Sequence, residues 1–501
     1  MKKIEKSFRE VKYKNKIALS VIMVIICYGT YIFPHYSQDV YAKYAEPREL
    51  VGTGLQWVMS SGRFMYAILN KILTSVFDSN VPMNIFLNIF VLAMFSLLVY
   101  YTFLKIMEQN SNIDENICFV AVCLIYLNPL FCDWLQFPEC APIYIIGLFL
   151  AVFSANSLFG NSKYCYWFSA GLLILAVGIY QPVIVYFVLI ILLNIWNLWI
   201  SKTKTIKSIV KLIVVAIWEY VLASGVQFII ILGGKFILNA QNRISNDVAN
   251  NVSVVLKEQK SLWLLQNTGS ISYIYFLAVI VTICCFAVCL KQFDSEINKG
   301  IIVGIYMLFG FVFYVSLFVT HIFIESWMSQ RTLTGFFALL AFLSIMSLKL
   351  ETENAVVLFF EKIMYILLIV TLVLSIYRTN RLSIDLIKTN SIDKEISWLV
   401  EQQIEKYELE SGKCVNKIAY CTDDSLTWAY EGIFSQYDLN VRGWAKMWSI
   451  SGMIDFYTGR KLENIEMPEQ IYKEHFQGKN WNYFDKDQVY CDNDTVYICV
   501  Y

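Results

Sequence analysis

Charged residues and histidine are scarce in this chain. Lysine, arginine, aspartate and glutamate make up 16% of the 501 residues, and the formal net charge is zero. A soluble protein typically has about 25% charged residues, so this composition argues against a soluble globular protein. The zero net charge gives no sign of a nucleic acid partner. The three histidines, at positions 35, 321 and 475, are too far apart in sequence to form a zinc-binding motif.

Motifs for binding nucleotides are missing as well. Gly233-Gly234-Lys235 lacks the spacing of a Walker A loop and is more typical of a helix end, which argues against an ATP-driven pump. No Ser-His-Asp set is visible by spacing. No sizeable globular domain precedes the first apolar run, which argues against an enzyme acting on cytosolic nucleotide sugars.

Long apolar runs dominate instead. The chain is 57% hydrophobic and 16% aromatic, and its mean hydropathy is +0.53. Because a membrane-spanning helix needs roughly 17–25 mostly apolar residues, the sequence predicts a mainly α, polytopic bundle of about eleven spans. The fifth and sixth are separated only by Gln181-Pro182, so they form either a tight hairpin or one kinked unit. The predicted spans are 17–34, 82–104, 116–131, 141–158, 164–180, 183–200, 208–233, 270–290, 300–320, 332–348 and 355–377.

The distribution of basic residues predicts the orientation of these spans. Residues 1–16 hold seven lysines and arginines, and the short loop 201–207 is basic too. Loop 131–141 has no lysine or arginine but contains Asp133 and Glu139. By the positive-inside rule, the N-terminus is cytoplasmic and the first span is a membrane anchor rather than a cleaved signal peptide. With eleven spans the C-terminal tail lies outside, whereas an even number would place it in the cytoplasm.

The chain divides into a transmembrane domain, residues 1–377, and a small soluble domain, residues 378–501. The second part holds 14 Lys and Arg against 20 Asp and Glu, and few apolar runs. Its pattern predicts a helix over 391–410, a strand over 416–421 and a hairpin within 488–501, which fits a small α/β or α+β domain. Four tryptophans either stack on the sugars of a polymeric acceptor or form the core of this domain: Trp428, Trp444, Trp448 and Trp481.

Candidate functional residues concentrate in the predicted outer loops. Asp39 follows the first span and is either a catalytic base or a solvated loop residue. His35 precedes it by four positions, so the two would share a face if the stretch is helical. Residues 64–77 repeat apolar side chains every four positions, which predicts an amphipathic helix in the membrane interface, although the core of a soluble protein shows the same pattern. Arg63 and Arg331 each begin an apolar helix, where a guanidinium either extends to the interface or binds a lipid phosphate.

Several short motifs occur in a particular order along residues 1–380. A basic N-terminus, one span and an outer loop with an Asp are followed by Ser61-Gly62-Arg63, Asn128-Pro129-Leu130, Tyr180-Gln181-Pro182 and Arg331-Thr332-Leu333-Thr334-Gly335. In this order the chain resembles the bacterial glucosyltransferase family of the O-antigen serotype-converting type (Gtr type II). The resemblance implies a GT-C-like membrane fold and a polyprenyl-phosphate sugar donor, undecaprenyl-phosphate glucose. The sugar would pass to a surface polysaccharide on the outer side of the bacterial cytoplasmic membrane.

The resemblance also implies roles for individual residues. Asp39 corresponds to the first-outer-loop acid and would act as general base in an inverting transfer, while Arg63 and Arg331 would bind the donor phosphate. Related enzymes often have a second acid close by, but here Gln38 precedes Asp39 and no adjacent residue is acidic. A second carboxylate or an acceptor contact would then come from His35, Asp133, Glu139 or Glu325. No cofactor or metal is expected, since arginines can neutralise a leaving monophosphate.

Two other classes remain open from the residues. A transporter or flippase should carry polar groups at mid-span, and Asn194, Asn197, Glu219 and Gln227 are the candidates. The ionisable groups concentrate in long outer loops instead, which favours an enzyme. A non-catalytic assembly protein that anchors the tail would make no use of the long first loop.

Overall fold

The computed structural model describes residues 13–45, 58–109, 113–160, 162, 164–238, 245, 247–263, 271–293, 297–323, 328–350 and 354–501. Within these ranges the protein is mostly helical, and nine helices are long and apolar enough to cross a membrane. They are Lys14–Ile32, Ile85–Gln109, Glu115–Leu135, Gln181–Ile200, Ile206–Ile237, Ser272–Gln292, Lys299–Ser316, Gln330–Leu348 and Ala355–Ser411. The mainly α, polytopic fold class predicted from the sequence is confirmed.

The two remaining predicted spans correspond to shorter apolar helices, Ala141–Ser157 and Cys165–Ile179. The chain leaves the second of these in an extended conformation at Tyr180 and makes a 3₁₀ turn over Gln181–Val183. Proline suits the first turn of a helix because its missing N–H has no partner there. Two separate helices therefore flank Gln181-Pro182, rather than one kinked unit.

Two helices form the centre of the bundle. Glu115–Leu135 is 94% buried and Gln330–Leu348 is 89% buried over their most apolar windows. The first helix, Lys14–Ile32, is only 28% buried and exposes Ile22 and Ile25 among others, as expected for side chains that face lipid.

The predicted amphipathic helix is present as Phe64–Phe77. Its exposed apolar residues Ile68, Ile72 and Val76 lie on one side, while Phe64 packs against Gly178. An exposed apolar stripe between two spans suits the membrane interface. The placement in the interface plane stays a prediction. Shorter helices in the described parts of the chain include Gln38–Ala45, Val248–Trp263 and Val319–Phe323.

A helix of 57 residues, Ala355–Ser411, connects the bundle to the C-terminal domain. At 1.5 Å per residue it is about 85 Å long, and the hydrocarbon core of a bilayer is about 30 Å thick, so the helix extends well beyond the membrane. The predicted boundary between residues 377 and 378 falls inside this helix, and the predicted helix 391–410 is its last part. It ends at Gly412, whose left-handed backbone stops the helix.

The C-terminal domain contains a four-stranded sheet and the helix Ile450–Thr458. The strands, in chain order, are Lys417–Thr422, Glu463–Asn464, Val489–Asp492 and Thr495–Val500, and their order across the sheet is second, first, fourth, third. The first and fourth strands, at the centre, pair in parallel, and the third and fourth pair in antiparallel register. This confirms the predicted strand and hairpin.

The C-terminal domain packs directly on the segment that follows the first span. Gln38 Nε2 donates to the Val441 carbonyl at 2.5 Å, and the hydroxyls of Tyr41 and Tyr457 are 2.6 Å apart. The Tyr36 backbone exchanges two hydrogen bonds with the Asn390 side chain, at 3.0 and 2.9 Å. The domain and residues 33–45 therefore lie at the same end of the bundle. This is the arrangement expected for an odd number of membrane crossings.

A substitution at Gly443 tests how tightly the C-terminal domain packs on the segment that follows the first span. A side chain at this position would meet Met453 Sδ at 2.7 Å, an Asp393 carboxylate oxygen at 3.2 Å and the Tyr41 ring at 3.3 Å. We expect Gly443→Ala to cost about 1–3 kcal/mol through overpacking and to lower the apparent melting temperature of the detergent-solubilised protein. Gly304→Ala is the control, because an added Cβ there meets nothing within 4 Å. Equal melting temperatures for the two variants would contradict the tight packing of Gly443.

Candidate functional site

The central helices bring Asp133 and Arg331 together. The Arg331 backbone N–H donates to Asp133 Oδ2 at 3.0 Å, and its Nη1 lies 3.6 Å from Oδ1. Gln136 Nε2 donates to the same carboxylate at 2.8 Å, and Trp134 Nε1 donates to the Arg331 carbonyl at 2.6 Å. The Asp133 side chain is 1% exposed and that of Arg331 is 18% exposed. Two residues that the sequence assigned to separate outer loops thus form one nearly buried ion pair.

A second carboxylate reaches Arg331 from the C-terminal domain. Asp438 Oδ2 accepts a hydrogen bond from Arg331 Nη2 at 3.0 Å, and Asp438 Oδ1 lies 3.7 Å from Lys446 Nζ. Gln136 bonds the same loop twice, to the Asp438 carbonyl at 3.1 Å and to the Asn440 N–H at 3.2 Å. The guanidinium is therefore held between a bundle carboxylate and a tail carboxylate. Sequence reasoning missed Asp438, since nothing in the local pattern distinguishes it from the other acids of the tail.

The loop that carries Asp438 has an unusual backbone. Tyr437 and Asn440 both have positive φ, at 52° and 53°, which non-glycine residues rarely adopt. A bridge between Gln436 and Leu439 closes the loop, with backbone bonds of 3.2 and 2.9 Å. A left-handed backbone at a non-glycine residue is unfavourable by itself and is found where surrounding contacts hold the residue in place. In this loop, the hydrogen bonds to Gln136 and Arg331 hold the backbone in that conformation.

Arg63 borders the same region through a cluster of aromatic rings. Tyr180 stacks on Tyr144 with centroids 4.6 Å apart, and Trp134 meets both rings edge-on. The Arg63 guanidinium lies 4.9 Å from the Tyr180 ring centroid, a favourable cation–π distance. Trp134, which meets the Tyr180 ring, also donates to the Arg331 carbonyl. The two predicted phosphate-binding arginines therefore both adjoin one aromatic cluster.

His35 and Glu139 anchor the first loop to the loop after the third span. His35 Nε2 lies 2.6 Å from the Leu135 carbonyl, and Nδ1 lies 2.8 Å from the Phe33 carbonyl. Burial lowers the pKa of His35, although the two carbonyl contacts favour the protonated ring. The Ser37 hydroxyl donates to Glu139 Oε1 at 3.4 Å, and both side chains are buried. These contacts fix the position of the segment that leads to Asp39.

Asp39 is exposed in the first turn of the helix Gln38–Ala45. The helix begins at Gln38, and His35 lies before it in irregular backbone, so the shared helix face expected from their spacing does not form. The contacts of the His35 ring to two carbonyls hold that residue in place instead. The helix that carries Asp39 is covered on its other side by the tail, where Gln38 and Tyr41 are buried. Glu325 lies outside the described residues.

A cavity of about 550 Å³ opens between the helices next to Arg63. Apart from a few polar groups its lining is apolar, and it includes Val177, Ile184, Val221, Phe228, Ile231 and Phe323. Its polar groups include Gln181, whose Oε1 is 3.4 Å from Arg63 Nε and whose amide also donates to the Ser61 carbonyl. Gly62 has a φ of +69°, and an added Cβ would lie 2.6 Å from Gln227 Cγ, so glycine is needed there. The Ser61-Gly62-Arg63 motif thus sits at one edge of an apolar cavity.

No group of three or more metal-ligating side chains lies within reach of one ion in the described part of the chain. Of the mid-span polar residues named for a transporter, Glu219 and Asn197 make hydrogen bonds to other helices. Ser169 donates to Glu219 Oε2 at 2.6 Å, and Asn197 Nδ2 donates to the Gln109 carbonyl at 3.1 Å. Gln227 belongs to the cavity beside Arg63.

In a comparison with protein-family models, residues 46–348 match the model of glucosyl transferase GtrII. The chain belongs to this family. The matched region is more than half of the chain and includes Arg63, Asp133, Glu139 and Arg331, whereas Asp39 and the C-terminal domain lie outside it. No curated protein and no solved structure matches the chain. The family and the apolar helices together identify a membrane glycosyltransferase, which decides against the transporter alternative.

The Asp133–Arg331 pair is testable by a double-mutant cycle. Because removing one partner leaves the other charge buried, we expect Asp133→Asn and Arg331→Gln each to cost about 3–5 kcal/mol, and the double variant to cost less than their sum. Stability is followed as the apparent melting temperature in detergent. The exposed pair Lys473–Glu469, with side chains 56% and 79% exposed, is the control and should show coupling near zero. Additive effects at Asp133 and Arg331 would show that the pair does not stabilise the fold.

Proposed function

We propose that this membrane glycosyltransferase moves glucose from undecaprenyl-phosphate glucose to a surface polysaccharide on the outer side of the bacterial cytoplasmic membrane. The observation that carries the proposal is the apolar cavity beside Arg63, at the edge of the cluster that also holds Arg331. A lipid-linked sugar needs both features, an apolar volume for its chain and fixed cations for its phosphate.

The donor would bind with its first prenyl units in the cavity and its phosphate between Arg63 and Arg331. A volume of about 550 Å³ lies in the usual range for ligand pockets but is too small for a whole polyprenyl chain, so most of the chain would stay in the bilayer. Arginine suits a phosphate because its N–H groups match the oxygens in pairs. Asp133 and Asp438 hold Arg331 in place before the donor arrives, which reduces the reorganisation needed during the reaction.

The reaction would be a direct displacement. A hydroxyl oxygen of the acceptor attacks the anomeric carbon, and the Asp39 carboxylate accepts the proton of that hydroxyl. The bond between the anomeric carbon and the phosphate oxygen breaks, and polyprenyl phosphate leaves with the electron pair. Arg63 and Arg331 stabilise the charge on the leaving phosphate, and attack opposite the leaving group inverts the anomeric centre. No metal is required for charge neutralisation in this scheme.

The contacts within the structure support placing this chemistry outside. One connected set of contacts joins Asp133, Arg331, the C-terminal domain and Gln38, the residue before Asp39. This set lies at the end of the bundle that the first span reaches from the N-terminus. The N-terminus itself is basic, which favours the cytoplasmic side. An acceptor that is part of the cell surface would then meet the site directly.

The substitution Asp39→Asn tests whether Asp39 is the general base. We expect the variant to lose about 10²–10⁴ in the rate of transfer of labelled glucose from synthetic polyprenyl-phosphate glucose to cell-envelope glycan, because the amide cannot accept the proton. Asp424→Asn is the control, an exposed carboxylate on a turn of the C-terminal domain. Protein abundance and melting temperature should match the wild type in both. Full activity of Asp39→Asn would remove Asp39 from the reaction.

Arg63→Gln tests the phosphate site. Loss of charge-assisted hydrogen bonds to the donor, worth about 1.5–3 kcal/mol, should lower kcat/KM for polyprenyl-phosphate glucose by about 10- to 100-fold. Lys71→Gln, which removes an exposed charge from the neighbouring amphipathic helix, should leave kcat/KM within about twofold. Equal losses in both variants would indicate a general effect of charge at the membrane surface rather than a phosphate site.

A further inference from the structure

The four tryptophans of the C-terminal domain divide into two groups. Trp444 is buried and Trp481 packs among the apolar residues of this domain, as expected for core residues. Trp428 and Trp448 are 53% and 54% exposed. Lys446 Nζ lies between them, 4.7 Å from the Trp428 ring centroid and 5.0 Å from that of Trp448. Two large indoles are thus held at the surface around one cation.

The backbone beneath these rings is fixed by hydrogen bonds. The Arg442 N–H donates to the Trp428 carbonyl at 3.1 Å, which ties the two segments together. The Ser449 hydroxyl lies 2.6 Å from the Gly443 carbonyl and 2.8 Å from the Lys446 carbonyl, which holds the turn that carries Lys446 and Trp448. Rigid aromatic groups of this kind bind with a small loss of conformational entropy.

The indole pair adjoins both parts of the candidate site. Lys446 Nζ is 3.7 Å from Asp438 Oδ1, and Asp438 in turn bonds Arg331. The turn Met447–Ser449 packs against the helix Gln38–Ala45, which carries Asp39. A chain bound across the indoles would therefore lie next to the proposed base and the proposed phosphate site.

We propose that Trp428, Lys446 and Trp448 form the subsite for the acceptor, a segment of pyranose-containing polysaccharide. This inference rests on the proposed function, since it names the surface that presents the acceptor. The C–H face of a pyranose carries partial positive charge and stacks on the negative face of an indole, while its hydroxyls accept hydrogen bonds from an ammonium group. The exposed parts of both rings and the intervening lysine supply these groups together.

A lipid surface is the competing occupant, because tryptophan is common at membrane interfaces. Charge favours the glycan. The tail from residue 378 onwards holds 20 acidic against 14 basic residues, which disfavours an anionic membrane surface. Lys446, the cation nearest the indoles, is paired with Asp438 at the site itself.

Direct binding tests the subsite without the transfer reaction. The full chain is placed in nanodiscs without donor, and the probe is a fluorescently end-labelled oligosaccharide fraction released from the cell envelope of the source organism. Fluorescence anisotropy gives the Kd. The double variant Trp428→Ala/Trp448→Ala removes two stacking contacts, so its Kd should be about tenfold higher or more. Trp398→Ala, an exposed tryptophan on the long helix, should bind as the wild type does, and Trp448→Tyr should retain most of the affinity.

The outcomes separate the two proposals. An unchanged Kd in the double variant, or no binding by the wild type at millimolar glycan, would overturn the subsite whatever the transfer assay gives. Quenching of both indoles by brominated lipids, with an unchanged Kd, would assign them to the bilayer surface and overturn it too. Tryptophan-dependent binding without transfer from polyprenyl-phosphate glucose would support the subsite and count against the proposed donor.

Discussion

The guanidinium of Arg331 lies between two carboxylates that come from distant parts of the chain. Asp133 approaches it from the end of one central helix, and Asp438 approaches from the C-terminal domain. A nearly buried charge is costly unless it is paired and hydrogen-bonded, so these contacts specify how the two central helices and the tail fit together. The first loop joins the same assembly through His35 and Ser37. These polar contacts act together with those of Tyr36, Gln38 and Tyr41 in docking the C-terminal domain on the bundle.

This arrangement gives the C-terminal domain a direct part in the site. The domain lies outside the segment that defines the GtrII family, yet it contributes Asp438 to the environment of Arg331 and covers the helix that carries Asp39. The long helix Ala355–Ser411 connects the bundle to this domain, whose residues Val441 and Tyr457 contact the segment that carries Asp39. The proposed donor site and the proposed acceptor subsite then adjoin one another.

Local patterns in the sequence predicted the parts of the fold that depend on local physics. Each of the eleven predicted apolar segments contains a helix, and the helix Phe64–Phe77 and the final hairpin were visible from periodicity and turn residues. The contact between Arg331 and Asp438 was not predictable, because 107 positions separate the two residues and nothing in the local pattern distinguishes Asp438 from the other acids of the tail. The role of His35 was missed for a related reason, since its ring binds backbone carbonyls that carry no sequence signal. The four tryptophans looked alike in the sequence, and only tertiary packing separates the exposed pair from the core.

The most direct test of the proposed function is a cryo-electron microscopy structure of the full chain in nanodiscs with a phosphonate analogue of polyprenyl-phosphate glucose. We predict the phosphonate within hydrogen-bond distance of both Arg63 and Arg331, the first prenyl units in the cavity that Gln181 and Phe323 line, and the glucose ring facing Asp39. A head group bound away from both arginines, with the cavity free of lipid, would contradict it.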